Sequence, residues 1–340
     1  MNRMKVFTLG FCLIFSLSVC AQKLLPSEFI FTKAPFASSH ASSIVETPKG
    51  LVSAFFAGSD EGNKDVGIWL SRNIQGRWTP PVQVADGVQN KKVQYPCWNP
   101  VLFRMPQGEL ILFYKVGPKP SQWWGMLKRS KDAGLTWSAA EKLPNGILGP
   151  VKNKPLLLAD GTLLCPSSSE DSGNKLHFEM TKDGGRTWKK TKALNDGKTF
   201  SAIQPSVIFL RDGRMKLLCR SNTGFIMEAY SSDQGNTWTP LQKTNLKNPN
   251  SGSDAITLKS GLHVLVHNPL GNRPKETEGE REILAVSTSK DGTHWTKVGE
   301  LENKPLKEFS YPAIIQTRDG RIHISYTWKR EKIKHAVLKF

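Results

Sequence analysis

Cysteine is scarce in this 340-residue sequence, acidic residues are outnumbered, and no long apolar run follows the first two dozen positions. The five cysteines, Cys12, Cys20, Cys97, Cys165 and Cys219, include no CxxC pair. A zinc ribbon or a dithiol redox motif is thereby excluded. The odd number beyond Ala21 reads as buried thiols rather than a disulfide framework. There is no phosphate-binding glycine loop and no clear metal-ligand cluster, so neither cofactor nor metal is expected. Asp and Glu number 29 against 47 Lys and Arg, a formal charge of +18. The basic residues are scattered, without a dense run, which argues against a nucleic-acid partner. The excess suits an anionic sugar, or a solvated charged surface.

The one long apolar run, Val6–Val19, follows Arg3 and Lys5 and precedes a small-residue cleavage pattern ending at Ala21. Residues 1–21 read as a signal peptide, and residues 22–340 as a single domain exported to the periplasm or beyond. Lipidation at Cys20 is the alternative. Loss of Arg3 and Lys5 takes the charge from +18 to +16. No other segment is apolar enough to insert stably in a membrane.

What is present is repetition. "SKDAGLTW" (Ser130–Trp137) returns as "TKDGGRTW" (Thr181–Trp188) and "SSDQGNTW" (Ser231–Trp238). Weaker copies end at Trp78 and Trp295. A second repeat is an apolar, β-rich run, a glycine-closed turn and another such run. Its glycines are Gly50, Gly108, Gly161, Gly213, Gly261 and Gly320, spaced 48 to 59 residues apart. Each is a β-hairpin signature. A third strand leads into each octet and a fourth leaves its tryptophan. Six such units predict an all-β, six-bladed β-propeller of four-stranded antiparallel blades. The last unit lacks a fourth strand, and "EFIFTKAP" (Glu28–Pro35) can supply it, closing the ring. In each octet, Asp is expected to accept backbone N–H bonds, Gly to allow positive φ, and Trp to pack between sheets.

The octet is the Asp-box, S-x-D-x-G-x-T-W. With the six phased hairpins, the chain resembles the sialidase (neuraminidase) superfamily, over essentially the whole mature sequence. The resemblance implies a glycosidase with an arginine set for the substrate carboxylate, a tyrosine nucleophile, a glutamate assisting it and an aspartate as acid/base.

In a propeller the first strand of each blade lies nearest the axis, so the hairpin glycines form a common ruler. Nine residues before them stand Asn99, Gln204 and Tyr311; His40 lies ten before Gly50. Seven residues after them stand Lys115 and Arg220. Shared register predicts one polar ring at one mouth of the tunnel. The resemblance assigns the nucleophile to Tyr311 in "YPAIIQTRDG", the second arginine to Arg220 in "LLCRS", the third to Arg281 and the acid/base to Asp65. Asp60 and Glu61 rival Asp65, and Arg273 rivals Arg281. Two positions depart from the pattern. His40 stands at the family's first arginine, and Gln204 at its glutamate. Glutamine cannot take a proton from tyrosine near neutral pH. Glu170, nine residues after Gly161, is the substitute, with His40 as another; Lys152 or Lys154 can add charge. The tryptophans of "QWWG" (Gln122–Gly125) offer a stacking surface for a sugar ring.

The sequence therefore predicts a monomeric, exported exo-glycosidase acting on a glycan with a terminal, acidic sugar. A lyase acting on a uronic-acid polymer and a non-catalytic carbohydrate-binding propeller are the other readings.

Overall fold

The computed structural model describes residues 23–24 and 26–339. The signal-peptide expectation for residues 1–21 lies outside the described residues. Six antiparallel blades follow one another along the chain, and between blades 1 and 2 Val88–Asn90 pairs with Val93–Gln94 as a small two-stranded sheet. Blade 1 is built from Ser38–Thr47, Gly50–Gly58, Gly67–Ile74 and Arg77–Trp78, with Val82–Ala85 added to its third strand. Blade 2 comprises Cys97–Arg104, Leu110–Val116, Trp124–Ser130 and Glu141–Lys142. Blade 3 comprises Leu156–Leu157, Leu163–Ser169, Lys175–Thr181 and Lys189–Lys190. Blade 4 comprises Ala202–Phe209, Met215–Ser221, Phe225–Ser231 and Gln242–Lys247. Blade 5 comprises Asp254–Thr257, His263–His267, Ile283–Ser289 and Thr296–Asn303. Blade 6 comprises Phe309–Gln316, Ile322–Trp328 and Lys332–Lys339.

The N-terminal segment completes blade 6. Glu28 and Phe29 pair with His335 and Lys334, and the Ile30 amide donates to the Ile333 carbonyl at 2.9 Å. Trp78 of blade 1 donates from Nε1 to Glu28, and Glu28 also meets His335, so side chains reinforce the seam. A sheet closed on itself leaves fewer free edges for other chains to pair with.

The six hairpin glycines all have positive φ, between 82° and 118°. At Gly161, Gly213 and Gly320 an added Cβ would meet nothing within 4 Å, so the requirement there is backbone conformation rather than space. The octets act as the sequence predicts. Asp183 accepts from the amides of Arg186 and Thr187, both at 2.9 Å, and from the Thr187 hydroxyl at 2.6 Å. Those bonds, the Thr187 hydroxyl foremost, hold its carboxyl well below the usual range. Each octet tryptophan packs onto the preceding blade. Trp188 meets Phe113 edge-on, and Trp238 stacks on Phe178 with ring centroids 4.5 Å apart. The cores lie between blades; one joins Val52, Phe56 and Ile68 to Leu102, Leu112 and Tyr114. Each such side chain contributes roughly 1.5–3 kcal/mol on burial. Cys97, Cys165 and Cys219 are free thiols in these interiors, and burial pushes their pKa values up.

Candidate active site

The ruler's nine-residue offset marks a structural irregularity as well as a position. Ala41, Asn99, Lys152, Gln204 and Tyr311 lie nine residues before their hairpin glycines, and all have positive φ, from 40° to 73°. In blades 1, 2, 4 and 6 the pairing of the inner strand shifts at this point, between His40/Ser43, Trp98/Val101, Ile203/Ser206 and Ser310/Ala313. Left-handed conformations at non-glycine residues cost roughly 1–3 kcal/mol each, and bulges re-aim side chains beside functional sites. The sixth position is Gly252. A Cβ placed there would come within 3.2 Å of Gln204 Oε1 and of Lys152 Cε, and 3.5 Å from Tyr311 Cδ2. Four of the six ruler positions therefore meet at the axis.

Arg220 is the hub. Its Nη1 donates to the Tyr311 hydroxyl at 2.8 Å and to Gln204 Oε1 at 3.5 Å. Its Nε donates to Asn250 Oδ1 at 2.9 Å, and Nη2 to the Asn250 carbonyl. Arg281 Nη2 shares that carbonyl at 3.2 Å. Arg281 also pairs with Glu308 at 3.3 Å. Arg330 Nε holds the other oxygen of Glu308 at 2.8 Å, and its Nη1 pairs with Glu61. The chain Arg220–Asn250–Arg281–Glu308–Arg330–Glu61 thus runs from blade 4 through blades 5 and 6 to blade 1, with Tyr311 of blade 6 on Arg220. Glu308 is half-buried, which opposes ionisation, but the Arg330 and Arg281 guanidiniums outweigh this and hold its carboxyl below the usual range.

His40 lies tilted against Tyr311 with ring centroids 4.2 Å apart, and its Nδ1 has no partner among the described residues. Burial, with Arg330 adding, pushes its pKa well below the ordinary value, so the imidazole is neutral. Gln204 Nε2 points at the Tyr311 oxygen from 3.4 Å as a donor, so this side chain cannot receive the phenol proton. Glu170 is largely enclosed. Burial raises its carboxyl above the usual range against the pull of Arg220, with Glu61 adding to the rise.

Two sequence-derived members lie elsewhere. Lys115 shares Arg220's register but not its reach. Its Nζ ends on the Pro150 carbonyl, eleven residues before Gly161, as Arg220 meets the Asn250 carbonyl eleven residues before Gly261. The shorter lysine stops there, wholly buried between blades 2 and 3, and burial lowers its pKa to about 7. The planar guanidinium has further N–H groups to carry on to Tyr311. Lys115 is therefore not part of the polar ring. Asp65 is exposed, and its carboxylate accepts from the Ser59 amide at 2.7 Å and hydroxyl at 2.8 Å, within its own loop. Of the three acidic candidates in that loop, Glu61 is the one that pairs with the arginine chain. Asn99 is buried at its ruler position.

Sequence reasoning missed Arg330 and underweighted Lys152. Arg330 sits in the turn after the second strand of blade 6, off the ruler, and no spacing marks it. Lys152 was on the ruler. Its Nζ donates to the carbonyls of Ser253 and Pro312 at 2.8 and 2.6 Å and to Asn153 Oδ1 at 2.9 Å, tying blades 3, 5 and 6 beneath Tyr311. Burial lowers its pKa to about 7, while these three acceptors favour the ammonium form.

The family described as "BNR repeat-like domain" matches residues 49–324. The chain belongs to this family, as a sialidase-superfamily propeller. An anhydrosialidase from Macrobdella decora is 25% identical over 256 residues, 63% of this chain and 31% of that protein. A sialidase from Clostridium perfringens is 26% identical over 190 residues, 49% of this chain and 48% of that protein. The chain thus matches about a third to a half of the length of these relatives. Among solved structures, a protein of unknown function from Dyadobacter fermentans superposes with TM-score 0.75 at 16% identity, covering 95% of this chain and 100% of that one. The intramolecular trans-sialidase from Ruminococcus gnavus gives 0.72 at 14% identity, covering 92% and 97%. At these identities the likeness concerns the fold.

Proposed function

We propose that this BNR propeller is an exported glycoside hydrolase that releases a terminal, acidic sugar at the tunnel mouth. The observation that carries the reading is Arg220 donating to the Tyr311 hydroxyl while sharing the Asn250 carbonyl with Arg281. A planar guanidinium suits a carboxylate, which it can hold through two hydrogen bonds. Arg220 already uses Nη1 on Tyr311 and Gln204, so an incoming carboxylate competes with the phenol for that nitrogen. Substrate binding then frees the Tyr311 hydroxyl, which attacks the anomeric carbon as its proton passes to the neutral His40 imidazole beside it. The Gln204 Nε2–H group remains on that oxygen and stabilises the negative charge it develops. Glu170, kept protonated to higher pH than an ordinary glutamate, donates to the departing oxygen and then accepts a proton from water. The relatives' sialidase activity supports the anionic substrate class.

The test is a panel of sialosides and other acidic glycosides with product analysis, run beside Tyr311→Phe, Glu170→Gln and Asp65→Asn. Loss of turnover in Tyr311→Phe is expected, and full activity there overturns the assignment. Glu170→Gln is expected to lose more activity than Asp65→Asn, given the burial of Glu170 and the self-contained turn at Asp65. The reverse order returns the acid role to Asp65.

One observation favours a second reading, elimination from a uronate polymer. Among the described residues Tyr311 has no carboxylate on its hydroxyl, and a neutral imidazole lies against its ring. A rise in ultraviolet absorbance from an unsaturated product distinguishes it.

A further inference from the structure

Repetition provides an internal control for surface residues. In the four positions after each octet tryptophan, blades 1, 2 and 4 have no lysine, reading "TPPV", "SAAE" and "TPLQ". Blade 5 has one, Lys297, which pairs with Glu300 at 2.7 Å. Blade 3 reads "KKTK", with Lys189, Lys190 and Lys192 all exposed. Four other blades make the same turn without this charge, so the turn does not require it. Lys189 reaches only Asn236, at 3.1 Å, and Lys190 the Gly146 carbonyl, also at 3.1 Å. The carboxylate nearest Lys190, Glu179, is 4.0 Å away and engaged by His177 and two backbone amides.

These lysines are not spread over a flat surface. They line a groove of about 620 Å³ between the outer edges of blades 3 and 4, with Trp238 on the facing wall. Lys190 also lines a second recess, of about 150 Å³, which contains Trp123, Trp124, Lys142 and Glu170. Lys142 sits over the Trp124 ring, 5.2 Å from its centroid, and Trp123 Nε1 is buried without a partner among the described residues. Lys190 therefore joins the recess holding Glu170 to the outer groove. A path of ammonium groups and indole rings leads away from Glu170.

The geometry points to this path as a binding track for a linear polyanionic glycan, held by Lys142, Lys190, Lys189 and Lys192 while its terminal residue occupies the tunnel mouth. The inference rests on reading the mouth as a glycan site. Sugar rings present apolar faces to indoles, and carboxylates or sulfates along the chain meet the ammonium groups. A saccharide chain is favoured over nucleic acid because the track opens into the recess that holds Glu170, the acid of the proposed hydrolysis. The wild-type mature chain then discriminates by polymer length, binding a long acidic glycan more tightly than its terminal unit.

Heparin and polygalacturonate, one sulfated and one carboxylated, are the probes. Their affinity for the mature chain is measured by titration at several salt concentrations, with duplex DNA as a third arm. The test variant is K189Q/K192Q; K131Q/K290Q removes equal charge from octets of blades 2 and 5. We expect K189Q/K192Q to lose roughly tenfold in polymer affinity and to lower the salt slope by about two, one per lysine. Turnover of a small acidic glycoside and the thermal midpoint are expected to stay unchanged. Equal loss in both double variants, no wild-type binding to either glycan near physiological salt, or DNA binding as tight as the glycans' would overturn the track. If no glycoside in any panel is turned over but K189Q/K192Q still weakens polymer binding selectively, the proposed hydrolysis falls and the track stands.

Discussion

Lys115 and Arg220 occupy one register and meet equivalent carbonyls, yet only the arginine reaches Tyr311. Arg220→Lys is therefore expected to reproduce at blade 4 what blade 2 shows, with an ammonium resting on Asn250 and no donor on the phenol. Loss of one charge-assisted bond is worth about 1.5–3 kcal/mol. By that measure kcat/KM for an anionic glycoside should fall about ten- to hundredfold with little change in the thermal midpoint. Unchanged kinetics would remove Arg220 from anion binding. Gly252→Ala places a methyl group between Gln204, Lys152 and Tyr311 at 3.2–3.5 Å. Small displacements at a reacting centre cost up to about a hundredfold, so activity should fall while stability hardly changes. Tyr311, Gln204 and Arg220 were legible because each has a fixed offset from a repeated glycine. Arg330 was not, because it lies in a turn and becomes a neighbour of Glu61 only through ring closure. The difference between Lys115 and Arg220 was also hidden, since register places a Cα but says nothing of side-chain reach.

Each octet is a turn organised by one carboxylate. Asp183 replaces solvent for two amides and two hydroxyls, and Trp188 anchors the turn onto blade 2. Asp183→Ala leaves those donors without their acceptor and should lower stability by about 1–3 kcal/mol, read as a shift in the urea midpoint. Catalytic constants measured well below that midpoint should hold, because the octet lies apart from the arginine chain. The same element explains why the fold was readable. Asp, Gly, Thr and Trp have local jobs, so they recur at fixed spacing, and the hairpin glycines recur for their φ angles. A repeating backbone requirement leaves a periodic trace. The left-handed positions before Gly50, Gly108, Gly161, Gly213 and Gly320 also repeat, but residues as different as Ala41, Asn99, Lys152, Gln204 and Tyr311 fill them. Strain imposed by the assembled ring carries no residue signature, and the sequence shows only its location.

Across the whole molecule, buried imidazoles set the acid limit. Burial lowers the pKa of His267 to about 4; it does the same to His323, with His335 adding. The unfolded chain takes up those protons near pH 6.5, whereas the folded protein resists until about pH 4. The unfolded state thus binds more protons throughout that window, and stability falls as pH drops through it. Each fully resisting group contributes up to about 1.4 kcal/mol per pH unit. Thermal midpoints taken from pH 7 to pH 4 should decline steadily, and His267→Gln should flatten the slope. A midpoint independent of pH in this range would show that neither imidazole is kept neutral.

Tyr311 and Arg330 come from the last tenth of the chain, while His40 and Glu61 come from its first fifth. They meet only where Glu28 and Phe29 lie down against residues 334–335. Residues up to Arg330 must therefore be synthesised before these side chains can become neighbours. A truncation that removes blade 6 leaves His40 and Glu61 without Tyr311 and Arg330, however many early sheets have formed. Closing the ring and gathering this cluster are one event.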